Sequence, residues 1–441
     1  MKVLASKQIV LLLAFAACGA ATAEPLEIPL KLRVAKESVD QFIPPGFAGL
    51  QWTTECPKGE WTWPKLKTAH PLYAQLELGG KSHLFVLDAV KPKAALYDRL
   101  YFDANGNGDL TDDKPADTVS LGRGTSTRAE FPPQETVLEP GARRYVFSVS
   151  LYAYPDEDRE TSPAFPKLMI SGYLRALCAY SGSFKLDGKT YHVLLGDARV
   201  NGVFSDTLSV SSTTRADERV SLDGDVLYLT ETNHPSHYDG MTLADHVFVG
   251  GILYRAEVNP EHTSMRLTPV EEPLIPVALA AEADLLLIRE VNKKRTVFAR
   301  APGSAIQLPS GRYSVVAYQL NRKAADGSVW RLSASAAKGA AEAEVEPEKP
   351  AKLVFGEPYS VKVHIPPWSL QQAEAQEDAS LRLNFQILGV DGEMVGDLSC
   401  VSGRSKDIPM AARDVRRPKE PAYTIAREDG EMVDRGVFEY G

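Results

Sequence analysis

The chain has 441 residues, with 49 Lys and Arg against 58 Asp and Glu, a net charge of −9 and 44% apolar residues. That balance fits a folded polypeptide of two to four domains, disfavours nucleic acid as a partner and suits a cation. Four widely spaced cysteines exclude a disulfide scaffold.

The first residues read "MKVLASKQIVLLLAFAACGAATAEP". Lys2 and Lys7 precede an apolar run, and Ala21-Thr22-Ala23 supplies a small-x-small site. This predicts a secretory signal over 1–23, cleaved after Ala23. Cys18 offers a lipoprotein alternative, but Phe15 stands where such sites usually carry Leu. Loss of two lysines and no acids takes the mature charge from −9 to −11. It leaves Cys56, Cys178 and Cys400, enough for one disulfide. The apolar run is short for a membrane span and no later one reaches the required length, so no transmembrane segment is expected. The expected location is secreted, periplasmic or at the cell surface.

Trp52, Trp61 and Trp63 follow within "LQWTTECPKGEWTWP". Such aromatics stack on sugar rings in some exported β-proteins; covering a core or a domain junction is the commoner use. Next come three segments of one design: "LELGGKSHLFVL" (76–87), "FKLDGKTYHVLL" (184–195) and "VFVGGILYRAEV" (247–258). Each predicts a hairpin whose Gly-Gly or Asp-Gly turn accepts the positive φ of a tight connection. Strands are also predicted for "RYVFSVSLYAY", "DVLYLTE", "GRYSVVAYQL", "YSVKVHI" and "LRLNFQIL".

"YFDANGNGDLTDD" (101–113) packs Asp103, Asn105, Asn107, Asp109, Asp112 and Asp113 around two glycines. "DANGNGD" resembles the calcium loop of the EF-hand and dockerin class, D-x-[DN]-x-[DN]-G, over about a dozen residues only. The resemblance implies side-chain oxygens from Asp103, Asn105 and Asn107, the bend at Gly108, the backbone carbonyl of Asp109 and a water held by Thr111. Lys114 stands where the family carries its bidentate acid, so Asp112 or Asp113 must close the shell. Pro115 and the strand-like "LYF" before the loop argue against a helix–loop–helix. The alternative is a solvated acidic turn.

An echo occurs at "DARVNGVFSD" (197–206), which aligns without gaps on "DANGNGDLTD" (103–112). Asp197, Asn201 and Asp206 keep ligand-like positions, but Arg199 replaces Asn105. A guanidinium there would act as an internal cation, pairing with Asp197 and Asp206, and no metal is expected. Residues 24–272 are therefore read as one β-rich unit with two related halves.

Beyond 273 the pattern is strand after strand, predicting immunoglobulin-like β-sandwiches over 273–356 and 357–441. "PLIPVALAAEADLLLI" has helix-forming alanines, but its prolines and flanking pattern favour strand. "APGSAIQLPSGRYSVVAYQL" reads as a hairpin with a Pro-Ser-Gly turn, "KGAAEAEVEPEKPAK" (338–352) as a boundary, and "DGEMV" at 391 and 429 as two hairpin tips.

Catalytic signatures are sparse. "NHPSHYDGMTLADH" gathers His234, His237, Asp239 and His246, yet it lacks a placed general base and reads as a polar loop. Cys178, among apolar residues, reads as a buried thiol. The expectation is an exported, mainly β, calcium-binding protein of the cell envelope or extracellular space, structural or adhesive rather than enzymatic. A surface polysaccharide or another envelope protein would be its partner. The alternative is a secreted carbohydrate-binding or carbohydrate-active protein using Trp52, Trp61 and Trp63.

Overall fold

Alternating sequence becomes strand throughout the computed structural model. It describes residues 24–35, 42–91, 94, 96–123, 127–155, 168–212, 220–233, 235, 239–293, 295–375, 381–402 and 421–438. The predicted signal (1–23, with Cys18), His234 and His237 lie outside these residues. Among the described residues there are thirty-two strands and one helix, Pro367–Ala375. Pro367 opens that helix, where its missing N–H leaves no bond unmade. No helix among them is long and apolar enough to cross a membrane.

The three predicted hairpins form. Leu72–Leu78 turns into Lys81–Asp88 through Gly79 and Gly80, at φ 57° and 81°. Cys178–Leu186 turns into Lys189–Gly196 through Asp187 and Gly188, at 50° and 77°. His246–Val249 turns into Ile252–Val258 through Gly250 and Gly251, at 60° and 79°. Positive φ at both central residues matches the right-handed twist of the flanking strands.

Three antiparallel sheets surround one core in the first part of the chain. The first has four strands and carries the 72–88 hairpin, followed by Arg99–Phe102 and Ala116–Asp117. The second runs in the order Phe47–Leu50, Leu168–Ala176, Arg143–Pro155, Thr127–Glu130 and Ser120–Arg123, with Gln134–Leu138 also on Arg143–Pro155. The third sets Lys31–Val34, Cys178–Leu186, Lys189–Gly196, Val226–Thr230 and Gly240–Thr242 side by side. Phe85, Phe102, Tyr145, Phe147, Leu195 and Phe204 meet in the shared core. Each such side chain contributes roughly 1.5–3 kcal/mol by burial. The other face of the four-stranded sheet has its own small core, in which Trp61, Trp63, Leu66 and Tyr73 cover Leu84, Val86, Tyr101 and Leu110.

The mainly β, sandwich-like class is as expected, but strand pairing crosses the boundaries drawn at 272 and 356. His246–Val249 pairs in parallel with Thr296–Pro309, and Val329–Ser335 pairs with Met394–Ser402, within one thirteen-stranded sheet. Phe248 and Leu253 share a core with Val277, Leu308, Tyr313 and Phe355. Within the 338–352 segment, read above as a boundary, Ala343–Val345 and Ala351–Leu353 are strands of that same sheet.

"PLIPVALAAEADLLLI", from its Leu274 on, lies in the seventeen-residue strand Leu274–Glu290, which corrects the hairpin expected at the Pro-Ser-Gly turn. Thr296–Pro309 and Gly311–Lys323 do not pair with each other; Leu274–Glu290 lies between them. Leu274 pairs with Pro309, and Tyr313, only four residues on, pairs with Glu290. The two ends of a strand that would span about 50 Å if straight are thus brought close. Register shifts between Ala278 and Leu285 mark where it folds over its own core. Both "DGEMV" segments are hairpin tips, with Gly392 and Gly430 at positive φ.

Candidate metal centre

The 103–113 loop leaves the end of Arg99–Phe102 and returns to Ala116–Asp117 across the same sheet edge. Asp103 is fully buried. Its Oδ1 accepts the N–H of Asn107 (3.1 Å) and its Oδ2 that of Gly108 (3.1 Å). Asn105 Oδ1 accepts the N–H of Asn107 and Asn107 Oδ1 that of Asp109, so each short polar side chain fixes the backbone two residues on. Gly106 and Gly108 stand at φ 67° and 81°. A side chain at Gly108 would also strike the Glu60 carbonyl at 2.9 Å. The loop is held from outside by His83 Nδ1 on the Asp103 carbonyl (2.7 Å) and by Thr62, which bridges Gly108 and Leu110.

Asp112 Oδ2 faces the side-chain amides of both Asn105 (3.2 Å) and Asn107 (2.9 Å), and Asp113 Oδ2 accepts the N–H of Ala104 (3.2 Å). All six residues singled out by the sequence are therefore in one loop. Burial pushes the Asp113 carboxyl up to about 6; the Ala104 N–H opposes this, and the charges of Asp112, Asp103 and Asp109 reinforce it. Among the described residues none of the four carboxylates has an ion-pair partner. The donors are hard oxygens of the kind calcium takes. No three Asp, Glu, His or Cys side chains among the described residues are grouped to hold a metal by themselves. An ion here would need the asparagine oxygens, a backbone carbonyl and water as well.

The echo loop repeats this bonding. Asp197 Oδ1 accepts the N–H of Asn201 (3.2 Å) and Oδ2 that of Gly202 (2.7 Å). Asn201 Oδ1 accepts the Val203 N–H, and its amide donates to Asp206 Oδ2. Val200 and Gly202 take positive φ at the places of Gly106 and Gly108. Even the Asp113 bond has its counterpart: the N–H of Ala198, aligned with Ala104, goes to Asp225 Oδ1 (3.1 Å). Asp225 comes from beyond an inserted hairpin, Ser209–Ser212 and Val220–Asp223, so no fixed spacing betrays it in the sequence.

Charge is handled differently in this copy. Arg199 reaches Asp206 (3.5 Å) as expected, but its second partner is Asp223 (3.4 Å), not Asp197. Asp197 is deeply buried and takes the Tyr145 hydroxyl instead (2.7 Å). Burial raises Asp197 to about 6. It raises Asp225 to about 9, where the neighbouring charges of Asp197 and Asp206 add to the effect. Asp225 thus holds a proton more tightly than a free carboxylate does, although its two oxygens accept the N–H groups of Ala198 and Asp206.

The other candidates separate. Asp239 is paired with Arg331 (3.3 Å), and His246 Nδ1 meets Asp245 (2.9 Å). Cys178 is buried, its thiol pushed up to about 12 by desolvation, and Cys56, Cys178 and Cys400 are all unbridged. Trp61 and Trp63 are half-buried in the small core beneath the 103–113 loop. Trp52 packs on the main core and over Gly172, where a Cβ would come within 2.1 Å of its Nε1. No protein-family model, no curated protein and no solved structure matches this chain.

Proposed function

We propose that this is an exported calcium-binding protein whose ion, at residues 103–113, fixes the edge of a β-rich structural or adhesive scaffold. The observation that carries the reading is the contrast between two loops with the same bonding. One has a guanidinium at its third position; the other has Asn105 there and four carboxylates without an ion pair. A divalent cation would supply to the first loop what Arg199 supplies to the second. Asp103, Asn105 and Asn107 would offer side-chain oxygens, Asp109 its carbonyl, and Asp112 or Asp113 the closing carboxylate. Two asparagines among the early ligands lower the site's charge, so affinity is expected in the extracellular range, on the order of 10⁻⁴ to 10⁻³ M. The ion's role is neutralisation and cross-linking of a turn; nothing in the reading requires catalysis. The leader-like first twenty-three residues support export, where calcium is plentiful.

Calcium titration of the intact mature chain by calorimetry is the test. One ion per chain with sub-millimolar to millimolar affinity, lost in Asp112→Asn, is expected. No heat and no change in melting temperature at 10 mM calcium would overturn the reading.

A further inference from the structure

Among the described residues, one face of the six-stranded sheet carries an uncovered cleft. Its alternation puts Phe147, Val149, Leu151 and Ala153 inward on the long strand Arg143–Pro155, and Ser148, Ser150, Tyr152 and Tyr154 outward. On the neighbouring strand Leu174 points in while Tyr173 and Arg175 point out. Register then builds rows across the sheet. Phe47 lies beside Arg175 and Ser148; Gly49 lies beside Tyr173, Ser150 and Glu130; Arg128 lies beside Tyr152. With Phe131 and two prolines as a wall, these rows line a cleft of about 840 Å3. Phe47, Tyr154 and Tyr173 are 59%, 38% and 42% exposed, an unusual amount of aromatic surface for one sheet face.

We infer that this cleft is a binding site for a carbohydrate chain bearing carboxylate groups. The aromatic planes offer apolar platforms, and Phe47, Tyr173 and Tyr152 each have a hydroxyl or charged group opposite on an adjacent strand, Arg175, Ser150 and Arg128 respectively, about 4.8 Å away. A pyranose, with a C–H face and hydroxyls at its rim, matches that alternation. The Tyr152 and Tyr154 rings lie nearly parallel, 12° apart with centroids at 6.5 Å, and Tyr173 meets Tyr152 edge-on. Gly49 leaves the floor beside Tyr173 bare: a Cβ there would meet nothing within 4 Å, so neither space nor backbone strain demands glycine.

Charge selects the acidic class. Arg128 is neutralised by Glu130 and lies over the Tyr152 ring, 5.2 Å from its centroid. Arg175 lies over Phe47 at 5.9 Å and makes no ion pair among the described residues. Its fork, packed beside the ring, can take a carboxylate through two N–H donors. Among the described residues that line it, the cleft therefore carries one positive charge without a paired acid, on a chain of net charge −9. A proline-rich peptide would use the rings but, with neither hydroxyls nor carboxylates along its prolines, would leave Ser148, Ser150 and Arg175 unmatched. The inference stands apart from the calcium loop, none of whose residues touches this face.

The test is binding of the intact mature chain, in calcium and in chelator, to an array of uronate-bearing and neutral oligosaccharides, with a proline-rich peptide alongside. Binding to at least one uronate-bearing glycan is expected, weakened at least tenfold by Tyr173→Ala and by Arg175→Gln. Arg175→Lys, which keeps the charge and loses the fork, should fall between Arg175→Gln and wild type. Melting curves of the variants, expected to match wild type because the substituted side chains face outward, check that the fold is intact. Binding only to neutral glycans, only to the peptide, or to nothing would overturn the inference, as would affinity indifferent to Tyr173→Ala and Arg175→Gln.

Discussion

The loops at 103–113 and 197–206 share five hydrogen bonds, atom type for atom type, and differ in how they manage negative charge. Their first acids, Asp103 and Asp197, are equally buried, so the difference lies with the partners and with the acids that follow. In the second loop those acids are enclosed or paired. Asp197 is hydrogen-bonded by Tyr145, burial raises the buried Asp225, and Arg199 spans Asp206 and Asp223. In the first, the outer acids face solvent and Asp113 is raised only to about 6, so it is mostly ionised at neutral pH. A turn that folds against a core can neutralise itself from within; a turn at a sheet edge keeps its charges. The second loop is also built into the first hairpin. The Asn201 carbonyl takes the Gly79 N–H (2.7 Å), and Leu138 fills the space a Gly202 side chain would need.

The sharpest way to break the comparison is to remove the acid that only the second loop buries. Asp225→Ala orphans the N–H groups of Ala198 and Asp206, each worth about 1–3 kcal/mol when left unpaired. A loss of about 2–4 kcal/mol is expected, measured by denaturant unfolding in chelator. Asp113→Ala frees one N–H at a half-exposed site and should cost less. Equal losses would mean that the loops do not differ in burial as described.

Calcium should act on the first loop alone. At 10 mM, an affinity between 10⁻⁴ and 10⁻³ M corresponds to roughly 1.4–2.7 kcal/mol of added stability. Asp112→Asn should remove most of it, whereas Asp206→Asn should leave it in place. Melting with calcium or chelator decides this on the whole chain, because the thirteen-stranded sheet runs through residue 272 and the halves cannot be separated there.

The pH profile sharpens the contrast further. Asp225 and Asp197 hold protons more tightly in the folded chain than in the unfolded one, where a carboxyl titrates near about 3.9. Their stabilisation is complete below that value and is lost as pH rises, through about 6 for Asp197 and about 9 for Asp225. In chelator the melting temperature should therefore fall between pH 7 and 9, and Asp225→Asn should flatten that fall. A wild-type profile already flat over this window would contradict a raised Asp225.

The smallest effect is the most diagnostic. Arg199 is about half-exposed, so Arg199→Asn should cost only about 0–1 kcal/mol without calcium. It rebuilds the D-x-N-x-N-G spacing and should add a second bound ion in a calcium titration. The reciprocal Asn105→Arg should abolish the first ion while leaving the chain folded. If neither exchange changes the stoichiometry, the guanidinium is not standing in for a cation.

Much of this was legible in the chain. Gly79-Gly80, Asp187-Gly188 and Gly250-Gly251 announced their hairpins because few residues tolerate positive φ, and so a turn is written in two letters. The loop echo was legible for the same reason: an Asp or Asn bonding to the backbone a few residues on makes a conformation that depends on local spacing. The alternation of "RYVFSVSLYAY" gave a strand and its two faces. It did not show that Tyr152 and Tyr154 would stand beside Tyr173 and Arg175, since that requires the register of a strand some twenty residues away. Nor could spacing find Asp225, delivered to Ala198 across an inserted hairpin, or the folding of Leu274–Glu290 over its own core, which carries the sheet through the expected boundary. Local backbone conformation follows from the residues in a tight turn, whereas partners far apart in sequence meet only where the packed sheets bring them. Sequence alone thus determined the strands, the turns and the acidic loop; tertiary structure decided which loop is self-neutralised and which surface stays open.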